Sequence, residues 1–177
     1  MSWLPIMSDE NASPEEKKIY DYIARRWSFV PNYFRAFGGE TQLLEDQTNL
    51  FTNLMFDERA LPRVVKEQLA IVVSGLNVSS YCLPAHMEIL SRLGVDKKLG
   101  RKLSLDFRNA PVEPKVMKLF EFAEKLTNKP GDMQKSDVDQ LREAGWSDAA
   151  IRDAVMVISA YALANRFSAG LGMIADF

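Results

Sequence analysis

Apolar positions recur along this chain three and four residues apart, the period of an amphipathic helix, and alternating runs of strand type are scarce. A first helix is predicted from Ser13, a capping residue, through Pro14, suited to the first helical position, to about Trp27, and Glu16 can complete a capping box with Ser13. After Val30, Pro31 and Asn32 a short helical run, Tyr33 to Phe37, ends at Gly38 and Gly39. Thr41 to Met55 follows, with Leu43, Leu44, Leu50, Phe51 and Leu54 on the helical period. Pro62 opens the next segment. There Val65, Leu69, Val72 and Leu76 form one stripe while Ala70, Ile71 and Val73 fill the other faces, so the middle is apolar all round, as in a buried helix.

The stretch Asn77 to Cys82 leads into a helix from Leu83 to Leu93, closed by Gly94, and a charged helix from about Asp96 to Phe107 breaks at Asn109, Ala110 and Pro111. Glu113 to Asn128 is amphipathic through Val116, Leu119, Phe120 and Ala123, and Lys129 to Asp132 is a turn. Ser136 to Asp139 is read as the cap of another helix, stopped by Gly145; Ser147 and Asp148 start the last, from Ala149 to about Leu171, with Trp146 stapling the junction. The β-branched content of Val157 to Tyr161 leaves a short strand as the alternative there, but the length of the periodic run favours helix. About eight or nine helices, with no long linker and no repeat, predict an all-α compact bundle forming one domain over 1–177.

Composition narrows the function classes. With 177 residues, 47% of them apolar, the chain can bury one core without disulfides or metals. A net charge of -2 with no concentrated basic stretch lacks the footprint of phosphate-backbone binding, so no nucleic-acid partner is expected. The opening residues carry no basic region before a long apolar stretch, and no run reaches the roughly 18 apolar residues of a membrane span. A cytoplasmic protein with no membrane partner is expected. One cysteine cannot form an internal disulfide, which fits a reducing compartment and makes any thiol chemistry depend on an outside partner. The apolar Leu69 to Val73 segment and the Ala-rich last helix offer more hydrophobic face than one small bundle covers, which favours a homo-oligomer.

The chemistry-bearing residues cluster around Cys82. Pro84 in a helix interior costs about 3 kcal/mol, so this helix must begin just before it, near Ser79 or Ser80, either of which can cap. Cys82 then lies in the first turn, where free N–H groups and the helix dipole favour a thiolate, and a lowered thiol pKa is expected. His86, the single histidine, lies four residues on and therefore on the same face, within proton-transfer reach. Inert packing of Cys82 and a structural role for His86 stay open beside this reading. Glu67 enters the apolar helix, where it can be a base; the alternative is a solvated face shared with Arg63 and Lys66. Tyr81 is a pocket wall or an ordinary packing residue. One Cys and one His supply too few ligands for a structural zinc, and neither metal nor cofactor is expected.

Glu67, eleven intervening residues, and then Ser79, Ser80, Tyr81, Cys82, Leu83, Pro84, Ala85 and His86 resemble the AhpD signature, a Glu followed by Cys-x-x-Cys-x-x-x-His. Val30 to Phe34 and Asn165 to Gly172 resemble the two ends of the peroxidase-related subgroup of the AhpD-like alkylhydroperoxidase and carboxymuconolactone decarboxylase family, so the resemblance runs over nearly the whole chain. It implies an AhpD-like helical fold, trimers or hexamers, reduction of hydroperoxides, and a proton relay through Glu67 and His86. Ser79 stands where the family has its first cysteine, which removes the disulfide cycle. The remaining peroxidase route is a one-cysteine cycle: Cys82 becomes a sulfenic acid and an external thiol restores it, with Ser79 as cap or substrate neighbour. The decarboxylase branch implies the alternative of acid/base lyase chemistry by His86 and Glu67, with Arg166 holding a substrate carboxylate. Arg166 is otherwise an ion-pair partner, to Glu67 or to an acid across a subunit boundary. A third possibility is a non-catalytic scaffold of the same fold.

Overall fold

Residues 2–176 are described in a computed structural model, and among them every regular element is helical. Met1 and Phe177, the ends of the expected 1–177 domain, lie outside the described residues. The helices are α1 (Pro14–Trp27), α2 (Asn32–Arg35), α3 (Thr41–Met55), α4 (Arg63–Leu76), α5 (Cys82–Arg92), α6 (Lys97–Asp106), α7 (Pro114–Asn128), α8 (Lys135–Glu143) and α9 (Asp148–Gly170), with 3-10 turns at Phe107–Asn109 and Pro130–Asp132.

Helices α1, α6 and α9 start at side-chain caps, Ser13, Asp96 and Ser147. The Ser13 hydroxyl accepts the Glu16 N–H at 3.2 Å while Glu16 Oε2 accepts the Ser13 N–H at 2.7 Å, closing the predicted box. The other Glu16 oxygen accepts the Gly39 N–H at 2.6 Å, so a buried carboxylate ties α1 to the turn before α3. The cap of α8 differs from expectation. That helix begins at Lys135 and is boxed by Gln134 and Asp137, because the Asp137 carboxylate accepts the Gln134 N–H at 2.7 Å and is itself held by Lys125 at 2.7 Å. Val157 to Tyr161 lies inside α9, so the strand alternative is not realised.

Helix α4 is the hub of the bundle, packed against α5, α6, α7 and α9. Leu69 to Val73 are solvent-free on every face, as their all-round apolar character demands, and each large aliphatic side chain there contributes on the order of 1.5–3 kcal/mol by leaving water. Gly75 permits the close approach of α6: a Cβ there would stand 2.6 Å from the Ser104 carbonyl oxygen. Trp146 donates from Nε1 to the Lys115 carbonyl at 2.8 Å, tying the start of α7 to the α8–α9 junction, which is the staple its position suggested.

The end of α4 decides where the site forms. Ser79 N–H reaches the Ser74 carbonyl at 2.8 Å and Val78 N–H the Gly75 carbonyl at 3.0 Å, the pattern of a Schellman turn. Its left-handed position, normally glycine, is Val78 with φ of 52°, a strained choice for a β-branched residue. This reversal lays α5 against α4 and brings His86 to Glu67. Among the described residues no helix is long and apolar enough to cross a membrane.

Candidate active site

Helix α5 begins at Cys82, so Pro84 falls among the first positions, where a backbone N–H would have no intrahelical partner and its loss costs nothing. The Ser79 hydroxyl accepts the Cys82 N–H at 3.2 Å and its carbonyl accepts the Leu83 N–H at 3.2 Å. Ser79 thus has the capping role expected of it, and Ser80 is exposed.

Opposite this turn, Glu67 is fully buried and both carboxylate oxygens are engaged. Oε2 meets His86 Nδ1 at 2.6 Å; Oε1 accepts from Arg63 at 2.7 Å. Burial alone would raise the Glu67 carboxyl, but the charges and hydrogen bonds of His86 and Arg63 outweigh it and hold the group below the usual carboxylate range. An ionised carboxylate only accepts, so Nδ1 of His86 carries the proton and Nε2 is left as the basic nitrogen. Arg63 stacks its guanidinium 4.0 Å over the Phe56 ring, which fixes it one helical turn before Glu67. The solvated-face alternative for Glu67 is therefore not what forms. Lys66 is buried as well, its Nζ donating to the Asp57 carbonyl at 3.1 Å.

Cys82 is buried, and its thiol departs from the sequence expectation. Burial pushes it above the ordinary value, and the hydrogen bonds from Ser79, Asn165 and Ser168 that pull it down do not compensate. The helix N-terminus is present, but it lies inside an apolar shell rather than at the surface. Ser168 donates to the Asn165 carbonyl at 3.1 Å, and its Oγ lies 4.0 Å from Cys82 Sγ, where either atom can donate. Asn165 also holds the preceding turn in place, donating to the Ser74 hydroxyl and accepting from the Asn77 amide, both at 3.0 Å.

Cys82 and His86 line one cavity of about 80 Å³, well above the roughly 10–15 Å³ that one water needs. Seven of its sixteen lining residues are aromatic: Trp27, Phe29, Tyr33, Phe34, Phe51, Tyr81 and Tyr161. Tyr81 is a wall residue, as one sequence reading had it. Its hydroxyl accepts the Tyr33 N–H at 2.8 Å and donates to Asp176 Oδ2 at 2.6 Å, and Asp176 Oδ1 accepts the Asn32 N–H at 3.1 Å. Burial raises the Asp176 carboxyl against those hydrogen bonds. Tyr161 packs edge-on against the His86 ring with centroids 4.5 Å apart, and its buried hydroxyl has no hydrogen-bond partner among the described residues. Leaving a buried hydroxyl unpaired costs about 1–3 kcal/mol.

Sequence reasoning missed Tyr161, Asp176 and the Asn165–Ser168 pair. Buried polar residues three apart in an apolar helix were a readable signal for the pair, whereas nothing local marked Asp176. Arg166 does not join the site. It is exposed and donates to the Ala162 carbonyl at 2.9 Å, and the partner of Glu67 is Arg63. The arginine that lines this cavity is Arg92, not Arg166. Among the described residues no group of three or more His, Cys, Asp or Glu side chains is placed to hold a metal ion.

This all-helical bundle has counterparts among solved structures. An uncharacterized peroxidase-related protein from Silicibacter sp. TM1040 is 28% identical over 98% of this chain and 91% of its own, with a TM-score of 0.88. An uncharacterized peroxidase-related protein with an alkylhydroperoxidase AhpD core, from Ralstonia eutropha JMP134, is 21% identical over 97% and 90% of the two chains, with a TM-score of 0.89. The debrominase Bmp8, in a cysteine-to-alanine variant in complex with 2,3,4-tribromopyrrole, is 18% identical over 98% and 92%, with a TM-score of 0.82. No family model and no curated protein matches the sequence. The chain has the fold of these peroxidase-related proteins over nearly its whole length. The debrominase neighbour adds that this fold also carries activities other than peroxide reduction.

Proposed function

We propose that the protein reduces hydroperoxides through the single cysteine Cys82, with His86 and Glu67 as its base. The observation that carries this reading is the 2.6 Å bond from His86 Nδ1 to the Glu67 carboxylate, which leaves Nε2 basic in the cavity that also holds the thiol. His86 takes the thiol proton as sulfur attacks the terminal peroxide oxygen. The O–O bond breaks, a sulfenic acid forms on Cys82, and the alkoxide leaves with the proton from His86. An external thiol then condenses with the sulfenic acid, releasing water, and a second resolves the mixed disulfide. The test is trapping of the sulfenic acid after addition of tert-butyl hydroperoxide. The expected adduct is absent from Cys82→Ser, and its rate of formation falls by about 10²- to 10⁴-fold in His86→Asn. A wild-type protein that gives no adduct refutes the reading.

The aromatic walls, together with a fold neighbour crystallised with a bromopyrrole, favour a second reading. Here Cys82 takes bromine from a ring carbon, that carbon takes the thiol proton by way of His86, an external thiol displaces bromide from sulfur, and a second thiol resolves the mixed disulfide. Cys82-dependent release of bromide from 2,3,4-tribromopyrrole in the presence of a thiol, without sulfenic acid formation from peroxide, would select it.

A further inference from the structure

Tyr161 is 2% exposed, lines the cavity beside Cys82, and stands edge-on to His86, yet nothing among the described residues pairs with its hydroxyl. The neighbouring wall position Phe51, whose ring lies 5.7 Å from that of Tyr161, shows that an unsubstituted ring suits this packing. The Tyr33 and Tyr81 hydroxyls are spent on Gln47 and Asp176. Two donors of the cavity lining, Trp27 Nε1 and the Tyr161 hydroxyl, therefore have no partner among the described residues, and of these Tyr161 is the one packed against the His86 ring.

We propose that Tyr161 is a catalytic residue that donates a hydrogen bond to the oxygen leaving the peroxide, an inference that rests on the peroxidase reading. As sulfur takes the terminal oxygen, the electrons of the broken O–O bond collect on the oxygen bearing the organic group. Tyr161 stabilises that alkoxide while His86 delivers the proton taken from the thiol, giving an alcohol and the sulfenic acid. Burial, with the charges of Glu67 and Cys82, raises the Tyr161 phenol, so it stays protonated through the step. The same donor holds the alcohol product.

The test is Tyr161→Phe, read three ways. Sulfenic acid formation from tert-butyl hydroperoxide should slow by about 100-fold, the loss typical of one oxyanion donor. Alkylation of Cys82 by iodoacetamide, which has no alkoxide leaving group, should be unchanged. Binding of tert-butanol, followed by NMR titration, should weaken about fivefold, the share of one neutral hydrogen bond. The melting temperature should hold or rise, because an unpaired hydroxyl has been removed. Equal slowing of alkylation and sulfenic acid formation would reduce Tyr161 to a packing role and overturn the proposal, as would unchanged rates. If the wild type gives no sulfenic acid, the peroxidase reading fails by itself. The alcohol titration then decides Tyr161 separately, and equal affinities in wild type and variant overturn its role.

Discussion

The α4 side of the site and the cavity residues around Cys82 treat charge in opposite ways. On the α4 side, Glu67 is completely buried and still held in its ionised form, because Arg63 and His86 take both of its oxygens. On the other side, Cys82, Tyr33, Tyr81, Tyr161 and Asp176 are all pushed by burial toward their neutral forms. The difference teaches where activation must come from. The proton acceptor is assembled in advance and the nucleophile is not, so at rest the site holds a thiol next to a base. Thiolate arises when a substrate arrives to receive it. An apolar cavity suits that order, since a resting thiolate would be costly there and open to over-oxidation.

The largest effect is expected from breaking the charged side. Glu67→Gln leaves Arg63 and His86 without their shared anion and should destabilise the fold by about 3 kcal/mol at neutral pH, read by urea unfolding. The Glu67 carboxyl is lowered in the folded chain, so its stabilisation is present above the unfolded value of 4.5 and is lost as pH falls through the folded value. The gap between wild type and Glu67→Gln should accordingly close in acid. A gap that persists unchanged at low pH would mean that the pair is held by packing rather than charge.

A smaller effect, of opposite sign, concerns the turn that brings the two sides together. Val78 carries φ of 52° and is 86% exposed, so Val78→Gly removes strain without removing contacts and should stabilise the protein by roughly 1 kcal/mol. Thermal unfolding checks it. A loss of stability would show that the valine side chain is used elsewhere.

The smallest effect belongs to the neutral side. The Asp176 carboxyl is raised, so the stability it contributes is full below the unfolded value of 3.8 and is lost as pH rises through the folded value. Asp176→Asn cannot ionise. It should match wild type in acid and exceed it at neutral pH by under about 1 kcal/mol, a figure discounted for the half-exposed position. The reverse pH trend would place a stabilised carboxylate at Asp176 and remove the contrast between the two sides.

How much of this was legible in the sequence depends on range. The helices, the buried character of α4 and the shared face of Cys82 and His86 follow from periods of three and four, which act within one element. The Arg63–Glu67 pair obeys the same spacing and was readable, although it first counted only as a feature of a solvated face. The Tyr81–Asp176 bond joins positions 95 residues apart, and no local pattern announces it. Arg166 failed as a site residue through helical phase: five residues past Tyr161, it lies about 140° away round α9 and points to solvent. The sign of the Cys82 shift was misread for a physical reason. A helix N-terminus lowers a thiol when water is near, and here desolvation is the larger effect.

The central claim is that Cys82 rests as a neutral thiol and is activated by the Glu67-bound His86. Its most direct test is the ultraviolet titration of thiolate in the wild type, with Cys82→Ser as the blank. The account predicts no thiolate signal at pH 7 and a midpoint above that of a free cysteine. A midpoint below pH 7 would contradict it, and would return the site to a resident thiolate stabilised by the helix N-terminus.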